Sequence, residues 1–208
     1  MPNSQDFFYL STRPELRAAP LVLLHGSGQD EYELLDLGNR VGMDRPCIAM
    51  RGPFTWESGY AFFRRHPDRS LDYDDLRIRT EQFADFLEQA VETGVLRQSP
   101  ILLGFSNGAI LAASVLVHRP DLIAGAILLR PLTPAPEASF PDLHRQRILL
   151  IAGAADERRA PEDALLLQRQ LEKAGARPTA MTLPTGHTIA EEEPEAIRNW
   201  LAENFAAS

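Results

Sequence analysis

Short apolar runs alternate with longer segments of helical periodicity along most of the chain. The runs predict six strands, over residues 21–24, 47–50, 101–103, 124–129, 148–152 and 179–183. Most of these runs are apolar at nearly every position, which favours strands that are covered on both faces, as in a parallel sheet.

The segments between the runs have the spacing of amphipathic helices. From about residue 74 to residue 92, apolar side chains recur at steps of three and four and form one stripe: Leu76, Phe83, Phe86, Leu87, Ala90 and Val91. A second helix is predicted from Pro161 to about Gly175, with Leu165, Leu166 and Leu171 facing inward. Two more are predicted over residues 109–117 and at the end of the chain, around Ile197, Trp200, Leu201 and Phe205.

Repeated strand-then-helix units predict an α/β fold, with a mostly parallel, doubly wound sheet and helices on both faces. The ligands of such sheets bind at the carboxyl ends of the strands. Residues 51–71 and 130–146 interrupt the alternation, but neither segment is long enough to fold as a cap domain. We therefore expect an uncapped site that these loops border.

Composition adds limits to this fold. The 208 residues are 44% hydrophobic and contain no low-complexity stretch, so we expect one domain over residues 1–208. The apolar runs are far shorter than the roughly 20 residues that cross a bilayer, and residues 1–6 lack the features of a signal peptide. The expectation is a cytoplasmic protein without membrane contact.

Charge and cysteine content exclude other classes. A net charge of −8 argues against binding to nucleic acid or to an anionic membrane surface. The single cysteine, Cys47, excludes an internal disulfide and a cysteine-based metal cluster, so no metal site is predicted. Cys47 itself is expected to be a small buried side chain.

The segment Gly104-Phe105-Ser106-Asn107-Gly108 joins a buried strand to a helix. Such a sharp turn crowds the backbone, and its two glycines leave room around a strained central serine. Ser106 would project at the tip of the turn, where a hydrolase places its nucleophile.

A serine nucleophile needs an imidazole to accept its proton and a carboxylate to orient that imidazole. His187 follows the last predicted strand, at the same edge of the sheet as Ser106, and is the predicted base; the alternative is a loop histidine that binds a neighbouring backbone group. The other histidines have settings that do not suit a base: His25, His66, His118 and His144.

Asp156 is the predicted acid because it stands just beyond the strand over residues 148–152. Its alternative is a carboxylate that interacts with the dipole of the helix beginning at Pro161, and Glu157 and Asp163 are competitors. The chain order serine, aspartate, histidine is typical of α/β-hydrolases.

The oxyanion of an attacked carbonyl needs two preorganised donors. The predicted donors are the backbone N–H of Asn107, at the start of a helix, and that of Ser27, in the glycine-rich turn 25–28. A plain glycine-rich turn without a catalytic role is the alternative for Ser27.

Together with the turn 25–30 and the Gly186-His187 pair, these motifs resemble the phospholipase/carboxylesterase family of small α/β-hydrolases over almost the whole chain. Residues 51–53, 62–65 and 129–131 are similar to a bacterial esterase branch that includes hydroquinone-linked members. The resemblance implies an α/β-hydrolase fold without a cap domain, ester hydrolysis without a cofactor, and often a homodimer. The loop 156–161 departs from the common Asp-x-Val-x-Pro pattern, and Asn107 stands where many relatives have Gln.

Aromatic residues crowd the segment 51–71. We expect an apolar wall for the substrate there, formed by Phe54, Trp56, Phe62 and Phe63; it is equally consistent that some of these anchor the loop on the core. The pair Arg64 and Arg65 is more typical of a solvated face than of a carboxylate clamp.

The resulting hypothesis is a serine carboxylesterase that hydrolyses small, moderately apolar esters through an acyl-enzyme on Ser106. Its partner is a small-molecule ester. One alternative is a thioesterase or lysophospholipase-type hydrolase. Another is a catalytically idle protein of this fold that binds a small hydrophobic ligand.

Overall fold

A computed structural model describes residues 7–68 and 70–205. Residues 1–6, on which the expectation about a signal peptide depends, lie outside the described residues. The strands are β1 Tyr9–Thr12, β2 Leu21–Leu24, β3 Cys47–Met50, β4 Phe54–Trp56, β5 Gly59–Ala61, β6 Ile101–Phe105, β7 Gly125–Leu129, β8 Arg147–Gly153 and β9 Thr179–Leu183. The helices are α1 Leu35–Val41, α2 Tyr73–Glu92, α3 Asn107–His118, α4 Pro161–Lys173 and α5 Glu193–Phe205.

The main sheet has seven strands in the order β1-β3-β2-β6-β7-β8-β9. The six predicted strands are all present and pair in parallel, which confirms the doubly wound arrangement. The first strand, β1, was not predicted and pairs antiparallel with β3 at the edge of the sheet. Its residues are only partly buried, so it lacks the continuous apolar run that marks the central strands.

Alternate side chains of each central strand enter cores on opposite faces of the sheet. In β2, Val22 and Leu24 pack with apolar residues of α2, α3 and α4. Leu21 and Leu23 pack on the other face, with apolar residues of α1 and α5. Helices therefore cover both faces, as the near-continuous apolar runs predicted.

Two details of the predicted helix faces were wrong. In α4 the buried leucines are Leu167 and Leu171, whereas Leu165 and Leu166 are 49% and 40% exposed. One helical turn separates residues 167 and 171, so they share a face that residues 165 and 166 do not. In α2, Val91 is exposed, although the rest of its predicted stripe is buried or partly buried.

The two interrupting segments lie beside the carboxyl ends of strands. The first contains the antiparallel hairpin of β4 and β5, and Tyr60 of this hairpin exchanges backbone hydrogen bonds with Gly28 and Gln29 in the loop after β2. The second, 130–146, contains no helix or strand. Of the helices that the structure describes, none has both the length and the apolar character that crossing a bilayer requires.

Candidate active site

Ser106 stands between β6 and α3, with φ of 51° and ψ of −104°. A non-glycine residue in this region carries roughly 1–3 kcal/mol of strain, which the surrounding structure must hold in place. Backbone hydrogen bonds on both sides fix the turn, from Ser106 N to Leu129 O and from Gly108 N to His25 O. The strained serine that the motif predicted is thus observed.

The two glycines of the motif allow close approach of α3 to the sheet. A Cβ on Gly104 would lie 2.5 Å from the carbonyl carbon of Gly108, and one on Gly108 would lie 2.0 Å from the carbonyl oxygen of Leu24. Both distances are far inside van der Waals contact. Any side chain at either position would push α3 away from β2 and move Ser106.

The structure brings Ser106, His187 and Asp156 together at the carboxyl edge of the sheet. His187 Nε2 lies 2.9 Å from Ser106 Oγ, and His187 Nδ1 lies 2.7 Å from Asp156 Oδ2. The Asp156 side chain is 1% exposed and that of His187 is 9% exposed. The three groups form one hydrogen-bonded chain whose outer end, the serine hydroxyl, faces the solvent-accessible clefts.

The competing carboxylates lie elsewhere. Glu157 is exposed, and Asp163 Oδ2 accepts a hydrogen bond of 2.8 Å from the backbone N–H of Ala160 at the start of α4. Asp156 Oδ1 accepts from the backbone N–H of Arg158 at 2.8 Å, which leaves Oδ2 directed at the imidazole.

The pKa of His187 is lowered from its ordinary value, chiefly because the ring is buried. The hydrogen bond to Asp156 opposes this shift, and the nearby Arg159 cation adds to it. A lowered pKa keeps the imidazole neutral near pH 7, the state in which Nε2 can accept a proton from Ser106.

The loop after β2 is held by a second histidine. His25 is buried; its Nε2 accepts from the backbone N–H of Gly52 at 2.9 Å, and its Nδ1 lies 2.7 Å from the carbonyl oxygen of Gly26. Glu33 Oε2 accepts from the N–H of Gly26 at 2.6 Å. These bonds shape the turn that presents the N–H of Ser27.

Neither predicted oxyanion donor forms a hydrogen bond within the described residues. Within residues 7–68 and 70–205, the backbone N–H groups of Ser27 and Asn107 donate to no other group. The Asn107 side chain is engaged instead, since its Oδ1 accepts from the N–H of Phe62 at 2.9 Å. The structure thus leaves one backbone donor in the loop after β2 and one at the start of α3, next to Ser106.

A sequence model described as phospholipase/carboxylesterase matches residues 12–205. The chain belongs to the phospholipase/carboxylesterase family. This confirms the resemblance predicted from the motifs and identifies the sheet and its helices as an α/β-hydrolase fold.

Individual relatives of this family member are similar over nearly their whole length. MhqD of Bacillus subtilis (strain 168) is 34% identical over 184 residues, which cover 88% of this chain and 92% of that protein. The carboxylesterase of Bacillus cereus has a TM-score of 0.91 at 28% identity, covering 97% of this chain and 96% of its own. The carboxylesterase of Mesorhizobium loti has a TM-score of 0.86 at 33% identity, covering 95% and 96%.

Two neighbouring clefts border Ser106 in this carboxylesterase-family chain. The Trp56 cleft, with a volume of about 310 Å³, is lined by Ser27, Trp56, Arg65, Ser106, Glu157, Arg158 and Arg159. The His187 cleft, of about 320 Å³, has walls that include Phe105, His187, Thr188 and Ile189. Ser27, Ser106 and Arg158 border both clefts, so a ligand whose carbonyl lies at Ser106 could extend into each.

The predicted aromatic wall is mostly absent. Trp56 lines the cleft named after it, but Phe62 and Phe63 are 1% and 0% exposed and belong to the core, which contradicts their predicted role in substrate binding. The ring centroid of Phe54 lies 4.7 Å from the guanidinium carbon of Arg64 and 4.2 Å from that of Arg79. These contacts give Phe54 two structural partners.

Sequence reasoning missed two arginines of the site. Arg130, directly after β7, is buried and donates to Glu193 Oε1 and to the carbonyl oxygens of Gly186, at 3.2 Å, and of Thr188. It thereby holds the residues on both sides of His187. A single arginine after a strand gives no pattern from which this role could be predicted.

The second is Arg159, whose Nη2 donates to Ser106 Oγ at 3.1 Å and whose Nε donates to the carbonyl oxygen of Arg130 at 2.9 Å. The only sequence signal was the departure of the loop 156–161 from the family pattern.

Among the described residues, no cluster of three or more histidine, cysteine or acidic side chains is arranged to hold a metal ion.

Proposed function

We propose that this chain is a serine carboxylesterase that hydrolyses small carboxylic esters through an acyl-enzyme on Ser106. The observation that carries the proposal is the continuous chain from Ser106 Oγ to His187 Nε2, at 2.9 Å, and from His187 Nδ1 to Asp156 Oδ2, at 2.7 Å. Membership of the phospholipase/carboxylesterase family supports the ester as substrate.

In the first half of the reaction, Ser106 Oγ attacks the ester carbonyl carbon while His187 Nε2 takes the hydroxyl proton. Asp156 stabilises the imidazolium that forms. The negative charge on the carbonyl oxygen is stabilised by the N–H groups of Ser27 and Asn107, which have no partner among the described residues.

The tetrahedral intermediate then breaks its bond to the alcohol oxygen, and that oxygen takes the proton from His187. Water attacks the acyl-enzyme in the second half, with His187 again accepting a proton, and the acid leaves as Ser106 recovers its hydroxyl hydrogen. No oxidant, reductant or further reactant is needed.

The position of His187 indicates which part of the ester lies in each cleft. Because His187 must protonate the departing alcohol, the alcohol group of the ester lies in the His187 cleft. The acyl group then occupies the Trp56 cleft, which also borders Ser106 but is not lined by His187. With one aromatic side chain in its wall instead of four, this cleft is less apolar than the sequence predicted.

The proposal is tested by Ser106→Ala. We expect kcat on 4-nitrophenyl butyrate to fall by about four to six orders of magnitude, as removal of a triad nucleophile does, with an unchanged circular dichroism spectrum. Ser99→Ala, before β6 and away from the carboxyl edge, is the matched control. Retention of near-native turnover by Ser106→Ala would rule out the assignment.

A wild-type protein that binds the ester but shows neither turnover nor an initial burst of 4-nitrophenol would favour the idle ligand-binding alternative. The same residues can cleave oxygen esters and thioesters. Turnover rates on matched oxygen and sulfur esters of butyric acid therefore distinguish the esterase from the thioesterase. We expect turnover of the oxygen ester.

A further inference from the structure

The Trp56 cleft contains more positive than negative charge. Three arginines, Arg65, Arg158 and Arg159, line it together with one carboxylate, Glu157. This excess contrasts with the whole chain, whose net charge is −8. A local reversal of sign beside the proposed nucleophile favours a ligand with negative charge.

Arg159 is the arginine closest to the reacting atoms. It is half-buried, and its hydrogen bonds go to three neutral oxygens: Ser106 Oγ at 3.1 Å, Arg130 O at 2.9 Å and Arg158 O at 2.9 Å. Arg159 forms no ion pair with a described residue, although the charges of Asp156 and Asp163 act on it from a longer distance. The fold thus holds a partly desolvated cation without a direct counter-ion, an arrangement that an anionic ligand would stabilise.

The neighbouring charges strengthen this conclusion. Burial lowers the pKa of Arg159 to about 10; the cations of Arg65 and Arg158 add to that shift, and the carboxylates of Asp156 and Asp163 oppose it. Repulsion between like charges is relieved when an anion binds near them. Because Asp156, Asp163 and the cleft residue Glu157 offset part of the positive charge, a single negative charge on the ligand suits the cleft better than several.

The assignment of the clefts gives the position of that negative charge in the substrate. Arg65 and Arg159 line the Trp56 cleft and not the His187 cleft, whereas Arg158 lines both and has Glu33 beside it in the His187 cleft. The acyl group occupies the Trp56 cleft, so the charge belongs to the acyl part. A guanidinium presents parallel N–H groups whose geometry matches the two oxygens of a carboxylate. The cleft volume of about 310 Å³ suits an acyl chain of a few carbons.

We propose that the Trp56 cleft binds an acyl chain that ends in a carboxylate, so that the substrates are monoesters of short dicarboxylic acids. This inference rests on the proposed esterase function. The carboxylate replaces Ser106 Oγ as the acceptor of the hydrogen bond from Arg159 Nη2. Binding of the correct substrate thereby frees the hydroxyl for attack.

The test compares monomethyl glutarate with methyl glutaramate, which has the same length but an amide in place of the carboxylate. We expect wild-type kcat/KM to be about 10-fold to 100-fold higher for the anionic ester, the range of a hydrogen bond to a charged group. Arg159→Gln should reduce this ratio toward one, mainly through KM. The matched control is Arg169→Gln, which removes the same charge from an exposed position on α4 and should keep the ratio.

The outcomes separate this inference from the proposed function. If the wild-type protein hydrolyses the ester bond of methyl glutaramate as fast as that of monomethyl glutarate, or faster, the dicarboxylate inference is overturned and the proposed esterase function stands. An equal loss of kcat on both esters in Arg159→Gln also overturns it, because Arg159 would then serve the reacting carbonyl. Failure to hydrolyse any ester defeats the proposed function.

In that last case the cleft is tested by binding alone. Calorimetric titration with glutarate and with glutaramate measures the preference for a second carboxylate without any turnover. Tighter binding of glutarate that is lost in Arg159→Gln and kept in Arg169→Gln supports the anion site. Equal or absent binding of the two compounds overturns it.

Discussion

At the scale of single residues, His187 and Arg159 are coupled through their charges. The pKa of His187 is lowered mainly by burial and further by the Arg159 cation, while the hydrogen bond to Asp156 raises it. The Arg159 guanidinium donates to the same Ser106 oxygen that His187 approaches. The protonation state of the proposed base therefore depends on a residue outside the three proposed catalytic residues.

This coupling predicts a shift in the pH profile. Protonated His187 cannot accept a proton, so kcat/KM should fall as pH drops through its pKa, which lies below the ordinary value of about 6.5. Arg159→Gln removes a nearby positive charge, so the pKa of His187 should rise and the acidic limb should move to higher pH. The profile on a neutral ester checks this, with Arg169→Gln as control; an unmoved or oppositely moved limb contradicts the coupling.

The residue-level predictions from sequence succeeded where the signal is local. The strain at Ser106 and the need for Gly104 and Gly108 follow from one short motif between a strand and a helix. The burial of Phe62 and Phe63 depends instead on packing against distant parts of the chain, which an aromatic-rich loop does not reveal. Composition alone could not separate them from Trp56.

At the scale of elements, the loop between β9 and α5 is tied to the loop after β7. The buried Arg130 side chain donates to Gly186 O, Thr188 O and Glu193 Oε1, and Glu193 Oε1 also accepts from Ala190 N. Both charged side chains are fully excluded from solvent. The pair positions the loop that carries His187, although neither residue touches the reacting atoms.

Removal of both partners should cost less than the sum of the two single removals. Arg130→Met leaves the buried Glu193 carboxylate unpaired, so we expect a loss of about 3–5 kcal/mol in the free energy of unfolding. The double variant with Glu193→Gln should lose less than the sum of the two single changes. Urea denaturation of the four proteins gives the coupling energy; additive losses would show that the pair does not hold the loop.

The role of Arg130 in positioning His187 can also be measured by enzyme kinetics. In Arg130→Met at a temperature where the protein remains folded, kcat should fall while KM changes little, because His187 is displaced but the Trp56 cleft is not. Arg147→Met, at the opposite end of β8, serves as the control. Unchanged kcat in Arg130→Met would limit the pair to a purely structural role.

At the scale of the whole molecule, the fold brings distant segments to one edge. Ser27, Ser106, Asp156 and His187 follow β2, β6, β8 and β9, and these strands run parallel in the same sheet. The strand pattern therefore predicted the meeting point of the site as well as the fold. The unpredicted elements, β1, β4, β5 and α1, are short or partly exposed, so their formation depends on tertiary contacts more than on a periodic pattern.

We infer that this convergence makes Ser106 the nucleophile. The decisive measurement is labelling of the folded protein with a fluorophosphonate, followed by peptide mapping by mass spectrometry. We expect one adduct per chain, located on Ser106. An adduct on another residue, or no adduct on protein that is shown to be folded, would contradict it.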